Sequence, residues 1–257
     1  MLANYHTHTV RCHHAGGTER EYIEAAIAKG FKVLGFSDHT PQPYPPQYIS
    51  GIRMLPEELP GYVETLCALR EEYKEEIRIL IGLEVEYMPR YFGDLLRLIR
   101  AYPVDYIIQG QHFVPDEITG FYAGDMTDSE ERLQSYVDLT IEGMKTGYFS
   151  YLAHPDLLYF TGPDAVYQNH MRRLISASID LSVPLEVNMY GFIGGRWYPH
   201  ERFFSLASEM GASFVIGCDA HNPKIIAKPE EVPHFSDFLT KCGIRTGDNI
   251  VKIRPLA

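Results

Sequence analysis

The sequence predicts an α/β fold in which helices surround one parallel sheet curled into a barrel, formed by a single domain over residues 1–257. Three observations carry this prediction. Apolar, β-branched segments alternate with helical ones about seven times, the pattern of successive βα units. Strand-like segments end again and again in ligand-type residues: His6-Thr7-His8, Asp38-His39, Glu84, His112, His154 and Asp219-Ala220-His221. Barrels of this kind build their chemistry from the carboxyl ends of the strands, where such residues would converge. Finally, 257 residues with 45% apolar and 22% charged side chains suit one core of ordinary globular make-up.

The elements follow in order. Leu2-Ala3-Asn4-Tyr5 reads as a strand running into His6-Thr7-His8. Histidines at i and i+2 of an extended segment share a face, so two imidazoles stand side by side where the strand stops. Thr18-Glu19-Arg20-Glu21 has capping-box spacing and starts a helix that Gly30 ends. Phe31 to Phe36 is the second strand, closed by Ser37-Asp38-His39. Pro41, Pro43, Pro45 and Pro46 impose a loop to about Leu55, and Pro56 opens a helix with Leu59, Val63, Leu66 and Tyr73 inward. The third strand, Ile77 to Val85, carries Glu84 at its end, with Glu86 next on the same face. A helix from Tyr91 to Ala101 precedes a strand over Val104 to Ile108, which leads to Gln109-Gly110-Gln111-His112.

Asp128 and Glu131 read as the cap pair of a helix reaching Gly147. The next strand ends in His154-Pro155-Asp156 and is followed by a helix over Ala165 to Leu181. Val183 to Asn188 is a strand whose Glu186 and Asn188 share a face. A helix from Glu201 stops at Gly211, and Ser213 to Cys218 leads to Asp219-Ala220-His221. A helix near Phe235 to Cys242 and an extended Ile250 to Ile253 complete the pattern.

Composition narrows the function. Cys12, Cys67, Cys218 and Cys242 are scattered without a C-x-x-C pair, which argues against a disulfide framework and a zinc knuckle. With no secretory leader and no run of about 18 apolar residues, the expected location is the cytoplasm, without a membrane partner. The formal charge of −11 disfavours nucleic acid. Divalent cations inside a pocket would reverse that charge locally, so a small phosphorylated substrate is compatible with it. Most of the 11 histidines lie at predicted strand ends. One catalytic ion uses about three protein ligands, so this supply implies two or three divalent ions, with zinc, iron and manganese all suited to mixed nitrogen and oxygen donors.

His6-Thr7-His8, His14, Ser37-Asp38-His39, Glu84, His112, His154-Pro155-Asp156 and Cys218-Asp219-Ala220-His221 together resemble the motifs of the polymerase and histidinol phosphatase (PHP) superfamily. The resemblance spans nearly the whole chain. Phe36-Ser37-Asp38-His39, Arg53-Met54, Leu83-Glu84-Val85 and Leu185-Glu186-Val187-Asn188 bring it nearest the histidinol-phosphate phosphatase branch.

The resemblance implies a distorted (β/α)7 barrel, TIM-like, with a trinuclear site. His6, His8, Glu84 and Asp219 would hold the first ion, Glu84 with His112 and His154 the second, and His14, His39 and His221 the third. His14 is preferred to His13 because the superfamily places this ligand six residues beyond the second histidine of the opening pair. The implied reaction is hydrolysis of L-histidinol phosphate to L-histidinol and phosphate, by in-line attack of a hydroxide held between ions. Asp38 would orient a ligand or a proton donor; Asp38 and His221 are candidates for protonating the leaving group.

Arg53, Asn188 and Arg196 are the expected substrate-binding residues, the arginines because a guanidinium fork matches two phosphoryl oxygens. Two departures from the branch pattern bear on the substrate: Gln109-Gly110-Gln111-His112 replaces Gly-Ser-x-His, and Gly191 to Gly195 precede Arg196 where a basic residue comes sooner. Beside the ligand set, His13 reads as a surface residue, Cys12 and Cys218 as packing thiols, and Glu86 as a salt-bridged support. His170, His200 and His234 match no motif, and Tyr190 and Trp197 either line the pocket or pack its loop. A phosphotyrosine phosphatase, a phosphodiesterase or exonuclease, and a catalytically silent metal- or partner-binding module are the alternative functions.

Overall fold

A computed structural model describes residues 1–245 and 247–256. Its main sheet has seven parallel strands in sequential order: β1 (Ala3–Asn4), β2 (Val33–His39), β3 (Arg78–Val85), β4 (Tyr106–Gln109), β7 (Phe149–Leu152), β8 (Leu185–Asn188) and β9 (Phe214–Gly217). A two-stranded antiparallel hairpin, β5 (Phe113–Val114) and β6 (Phe121–Tyr122), stands apart from it. The helices are α1 (Glu19–Ala28), α2 (Leu59–Glu72), α3 (Pro89–Ile99), α4 (Glu130–Lys145), α5 (Asp164–Asp180), α6 (Met189–Ile193), α7 (Glu201–Glu209) and α8 (Phe235–Lys241). None of the described helices is long and apolar enough to cross a membrane.

The ring closes between its first and last strands through side chains. Cys218 N–H donates to Asn4 Oδ1 at 2.9 Å. Asn249 supplies the missing ladder, accepting from Ile216 N at 2.8 Å and donating to the carbonyls of Ala3 and Ile216 at 2.8 Å. Past the strand ends, Thr7 pairs in parallel with Ala220, which brings the His6-Thr7-His8 and Asp219-Ala220-His221 segments together. Burial on both faces explains the continuous apolar runs of β2 and β3. A large apolar cluster packs helices on the outside of the sheet, and a small one made of Ala3, Tyr5, Leu80, Tyr106, Ile108, Tyr151, Ala153 and Val215 fills the ring. Tyr106 crosses that interior and donates to the carbonyl of Tyr5 at 2.6 Å, over the bare backbones of Gly35 and Gly82.

Two expectations need correction, and one element is new. Ser129, not Asp128, caps α4, its hydroxyl accepting from Arg132 N at 3.3 Å. Ile250 to Ile253 forms no strand, although Val251 and Ile253 do pack under the ring. The β5–β6 hairpin has no counterpart in the sequence reading, since two-residue strands are too short to show an alternation. The expected capping box at Thr18 and Glu21 is present.

Candidate metal centre and substrate cavity

The strand ends deliver their side chains to one point. The segment after β1 supplies His6 and His8, β2 His39, β3 Glu84, the turn after β4 His112, the turn after β7 His154, and the turn after β9 Asp219 and His221. His14 arrives on the loop after the 3-10 turn Val10–Cys12. His154 and Asp219 have left-handed backbones, with φ of 29° and 47°. Such a conformation costs a β-carbon-bearing residue energy and tends to persist where function holds it.

The donor atoms are spaced as ligands of shared ions would be. Two ligands about 2.1 Å from one tetrahedral ion stand roughly 3.4 Å apart. His6 Nε2 lies 3.6 Å from Glu84 Oε2 and 3.5 Å from Asp219 Oδ1. His8 Nε2 lies 3.6 Å from the same glutamate oxygen and 3.0 Å from the same aspartate oxygen. Glu84 Oε1 faces His154 Nε2 at 2.8 Å and His112 Nε2 at 3.7 Å. His14, His39 and His221 bring one ring nitrogen each within 4.8 Å of the others.

Unpaired polar atoms test whether ions fit. His6 Nε2, His8 Nε2, Glu84 Oε2 and Asp219 Oδ1 are buried and make no hydrogen bond of good geometry, their near neighbours being one another and His39 Nδ1, 2.9 Å from Glu84 Oε2, a costly state unless something else satisfies them. At the other end of the cluster, His14 Nδ1 bonds the carbonyl of Cys12 at 2.7 Å and His221 Nδ1 that of Asp219 at 3.1 Å. A ring nitrogen facing a carbonyl is the protonated one, which leaves Nε2 as the nitrogen each ring offers to the cluster, and the two Nε2 atoms stand 3.0 Å apart. A shared cation would take both as ligands. The residues present therefore fit divalent ions.

Charge follows the same logic. Burial opposes charge on Glu84 and Asp219, yet the encircling imidazoles hold both carboxyls well below their usual range. Burial also opposes charge on His6, but Glu186, Asp219 and Glu84 push it up to about 10. His221 goes the other way, down to about 3, through burial and the neighbouring His8 ring.

Supporting contacts fix the rings. Glu186 is fully buried; it takes His6 Nδ1 at 2.7 Å through Oε1 and the His154 backbone N–H at 3.0 Å through Oε2. Glu86 takes His112 Nδ1 at 3.0 Å. Partners on the far nitrogen of a ligand imidazole set its tautomer and aim. Glu186 was read only as sharing a face with Asn188; its place on the inner face of β8, level with the ligands, was the available signal.

A cavity of about 370 Å³ opens over the cluster. His14, His39, Glu84, His112, His154, Asp219 and His221 form its floor, and Ile52, Phe113, Tyr122, Leu157, Tyr190, Arg196 and Tyr198 its walls. Arg196 lies over the Tyr190 ring at 4.8 Å, and that ring sits 4.9 Å from His221. Phe113, Tyr122 and Tyr198 were not anticipated, because the hairpin carrying the first two was not.

Other expectations change. Arg53 does not reach the cavity: it is 1% exposed, its Nη2 2.9 Å from Glu86 and its Nε 2.7 Å from Glu117. Asn188 is also buried, donating to Glu186 at 2.9 Å and Asp219 at 3.0 Å while its Oδ1 caps α6. Asp38 lies behind His8, accepting from both the backbone and the hydroxyl of Thr9, so it meets no leaving group. His13 is on the surface beside Glu58, Cys12 and Cys218 are buried thiols, and Trp197 stacks on Tyr159 outside the cavity.

Comparison with known proteins agrees with this architecture. The chain is 30% identical over 236 residues to a probable histidinol-phosphatase of Deinococcus radiodurans, covering 86% of this chain and 87% of that one. It is 26% identical to a probable histidinol-phosphatase of Schizosaccharomyces pombe, over 95% and 88% of the two chains. Among solved structures, the histidinol phosphate phosphatase of Lactococcus lactis, complexed with zinc, L-histidinol and phosphate, superposes with a TM-score of 0.72 at 19% identity, covering 98% of each chain. The PHP domain model matches residues 4–190, which take in seven of the nine candidate ligands, all but Asp219 and His221, and the chain belongs to that family.

Proposed function

We propose that the protein is a metal-dependent phosphatase that hydrolyses L-histidinol phosphate to L-histidinol and phosphate. The observation that carries this reading is the meeting of nine ligand-type side chains at one point: His14, His39, Glu84, His112, His154, Asp219 and His221 on the floor of a cavity of small-molecule size, and His6 and His8 buried directly against Glu84 and Asp219. Relatives named as histidinol-phosphatases support the choice of substrate. Ions would be held by His6, His8, Glu84 and Asp219, by Glu84, His112 and His154, and by His14, His39 and His221. Two or three divalent cations bound there supply Lewis-acid stabilisation of the phosphoryl oxygens and a water of lowered pKa.

The chain's own residues do the positioning. Glu186 and Glu86 aim the His6 and His112 rings, and Asp38 backs His8, with Nδ1 and Oδ1 3.5 Å apart. Arg196 offers its fork at the cavity wall to the phosphoryl oxygens. Tyr122, Tyr198 and Phe113 line the cavity where the organic part would lie, and aromatic rings attract a cationic amine or imidazolium. The apolar wall also keeps bulk water from the reacting centre.

The test is phosphate release by purified protein loaded with zinc or manganese. kcat/KM on L-histidinol phosphate should exceed that on p-nitrophenyl phosphate; equal values would retire the histidinol assignment while leaving a phosphatase. The aromatic walls also suit an aryl phosphate, so a phosphotyrosine peptide belongs in the same assay.

A further inference from the structure

Glu117 is placed where no metal or substrate chemistry requires a carboxylate. It lies in the turn of the β5–β6 hairpin, yet its side chain is only 6% exposed. Four donors from the proline-rich loop converge on it: Tyr44 Oη at 3.2 Å, Tyr48 Oη at 2.9 Å, Ser50 Oγ at 2.6 Å and Arg53 Nε at 2.7 Å. That loop also supplies Ile52 to the cavity wall, and the hairpin supplies Phe113 and Tyr122. One carboxylate thus ties two walls of the cavity together.

The contacts continue inward. Arg53 is fixed between two acids, its Nε on Glu117 and its Nη2 on Glu86 Oε1 at 2.9 Å. The same Glu86 oxygen takes His112 Nδ1 at 3.0 Å, and Glu86 Oε2 takes the Phe113 N–H at 3.3 Å. His112 Nε2 then faces Glu84. An unbroken line of charged and hydrogen-bonded groups, each with a side chain at most 14% exposed, runs from the hairpin turn to the floor of the cavity. A guanidinium deprived of one of its two acids turns toward the other, because a buried cation left half-paired is costly. With Glu117 gone, Arg53 would close its fork on Glu86 and draw that carboxylate off His112.

We infer that Glu117 is a positioning residue for His112, acting through Arg53 and Glu86 to aim His112 Nε2 at the ion shared with Glu84 and His154, and that the same carboxylate latches the loop and hairpin walls over the substrate. This rests on the metal-dependent reading of the cluster and extends it to a residue outside the ligand set.

The experiment is a zinc titration of the full chain, stripped of metal, against a chromophoric chelator, on the parent, Glu117→Ala, and the paired variant Tyr48→Phe/Ser50→Ala. Thermal melts of the metal-free proteins control for folding. In the parent the titration should resolve two or more zinc equivalents; none would defeat the metal reading itself, separately from the inference. In Glu117→Ala one equivalent should weaken by about tenfold or more, as removing outer partners of ligands does elsewhere, with the others unchanged. Activity lost at limiting zinc should return at excess zinc, while KM stays raised because the walls are no longer latched.

The paired variant removes two loop hydrogen bonds but keeps Arg53 between its acids, so its zinc affinities should match the parent. Parent-like zinc affinity in Glu117→Ala, or equal weakening in the paired variant, overturns the inference. If Glu117→Ala does not fold, Glu117→Gln carries the same comparison: it keeps the shape and one acceptor but removes the charge that Arg53 faces.

Discussion

Gly217→Ala is a one-methyl test of how the centre is held. Gly217 is in β9, in extended backbone that any residue adopts, so the substitution acts through space alone. A β-carbon there would stand 2.5 Å from Glu186 Cδ and 3.1 Å from its Cγ, with Oε1 closer still. Glu186 has nowhere to retreat, because it is fully buried and already holds His6 Nδ1, the His154 N–H and Asn188 Nδ2. Overpacking of this kind costs about 1–3 kcal/mol of stability. Displacing an outer partner of a ligand histidine weakens metal binding by about 10–100-fold, or roughly 1.4–2.7 kcal/mol.

The assay is a double-mutant cycle: melting temperature and zinc affinity for the parent, Gly217→Ala, Glu186→Ala and the double variant. With Glu186 shortened, the added methyl meets no carboxylate. The cost of Gly217→Ala in that background should fall below about 0.5 kcal/mol, or turn slightly favourable, since alanine loses less chain entropy than glycine. Equal costs in both backgrounds, or a Gly217→Ala protein with parental zinc affinity, would refute the argument that this glycine exists to admit Glu186.

Other perturbations separate the site's parts. In the metal-free chain His6 is pushed up to about 10 and His8 well above 6.5, so both rings carry protons at pH 7, whereas an ion requires them neutral. Zinc binding should therefore release protons and tighten as pH rises from 6 to 9, by about tenfold per unit for each proton released; calorimetry in buffers of different ionisation enthalpy measures this, and a flat profile would contradict the assigned charges. Arg196→Ala should lower kcat/KM for the phosphomonoester by about tenfold, the loss of one charge-assisted bond, without changing zinc stoichiometry, since the side chain touches Tyr190 and no ligand. Chelation should lower the melting temperature reversibly, because zinc at 100 times its dissociation constant stabilises the folded state by about 2.7 kcal/mol; an unchanged melt would mean that the cluster binds no ion in solution.

The convergence of the proposed ligands was legible in the sequence because strand ends are marked twice, by apolar runs and by the residues that close them. His6 and His8, or Glu84 at the end of β3, need only a period of two and a parallel sheet to be placed. What supports them was not legible for a physical reason. Glu86, Glu117 and Arg53 are 33 and 64 residues apart as bonded pairs, and no local period relates them. Arg53 in a proline-rich loop reads as a solvated cation facing a substrate; only tertiary packing reveals two acids enclosing it. Asn188 failed in the same way, since alternation gives the face a residue occupies but not the depth at which neighbours consume its donors.

The same asymmetry explains where charge is stored. A floor of imidazoles and carboxylates placed about 2.8–3.7 Å apart is a poor arrangement for an ordinary core, which would not gather so many ionisable groups at one buried point. It persists because the surrounding ring is rigid and because Glu186, Glu86 and the carbonyls of Cys12 and Asp219 each take the outer nitrogen of a histidine. With those outer nitrogens occupied, the inner ones face only the carboxylates and imidazoles of the cluster itself. The fold thus aims the inner atoms at one another before any ion arrives, and divalent cations would take the place of the protons held there in the metal-free chain.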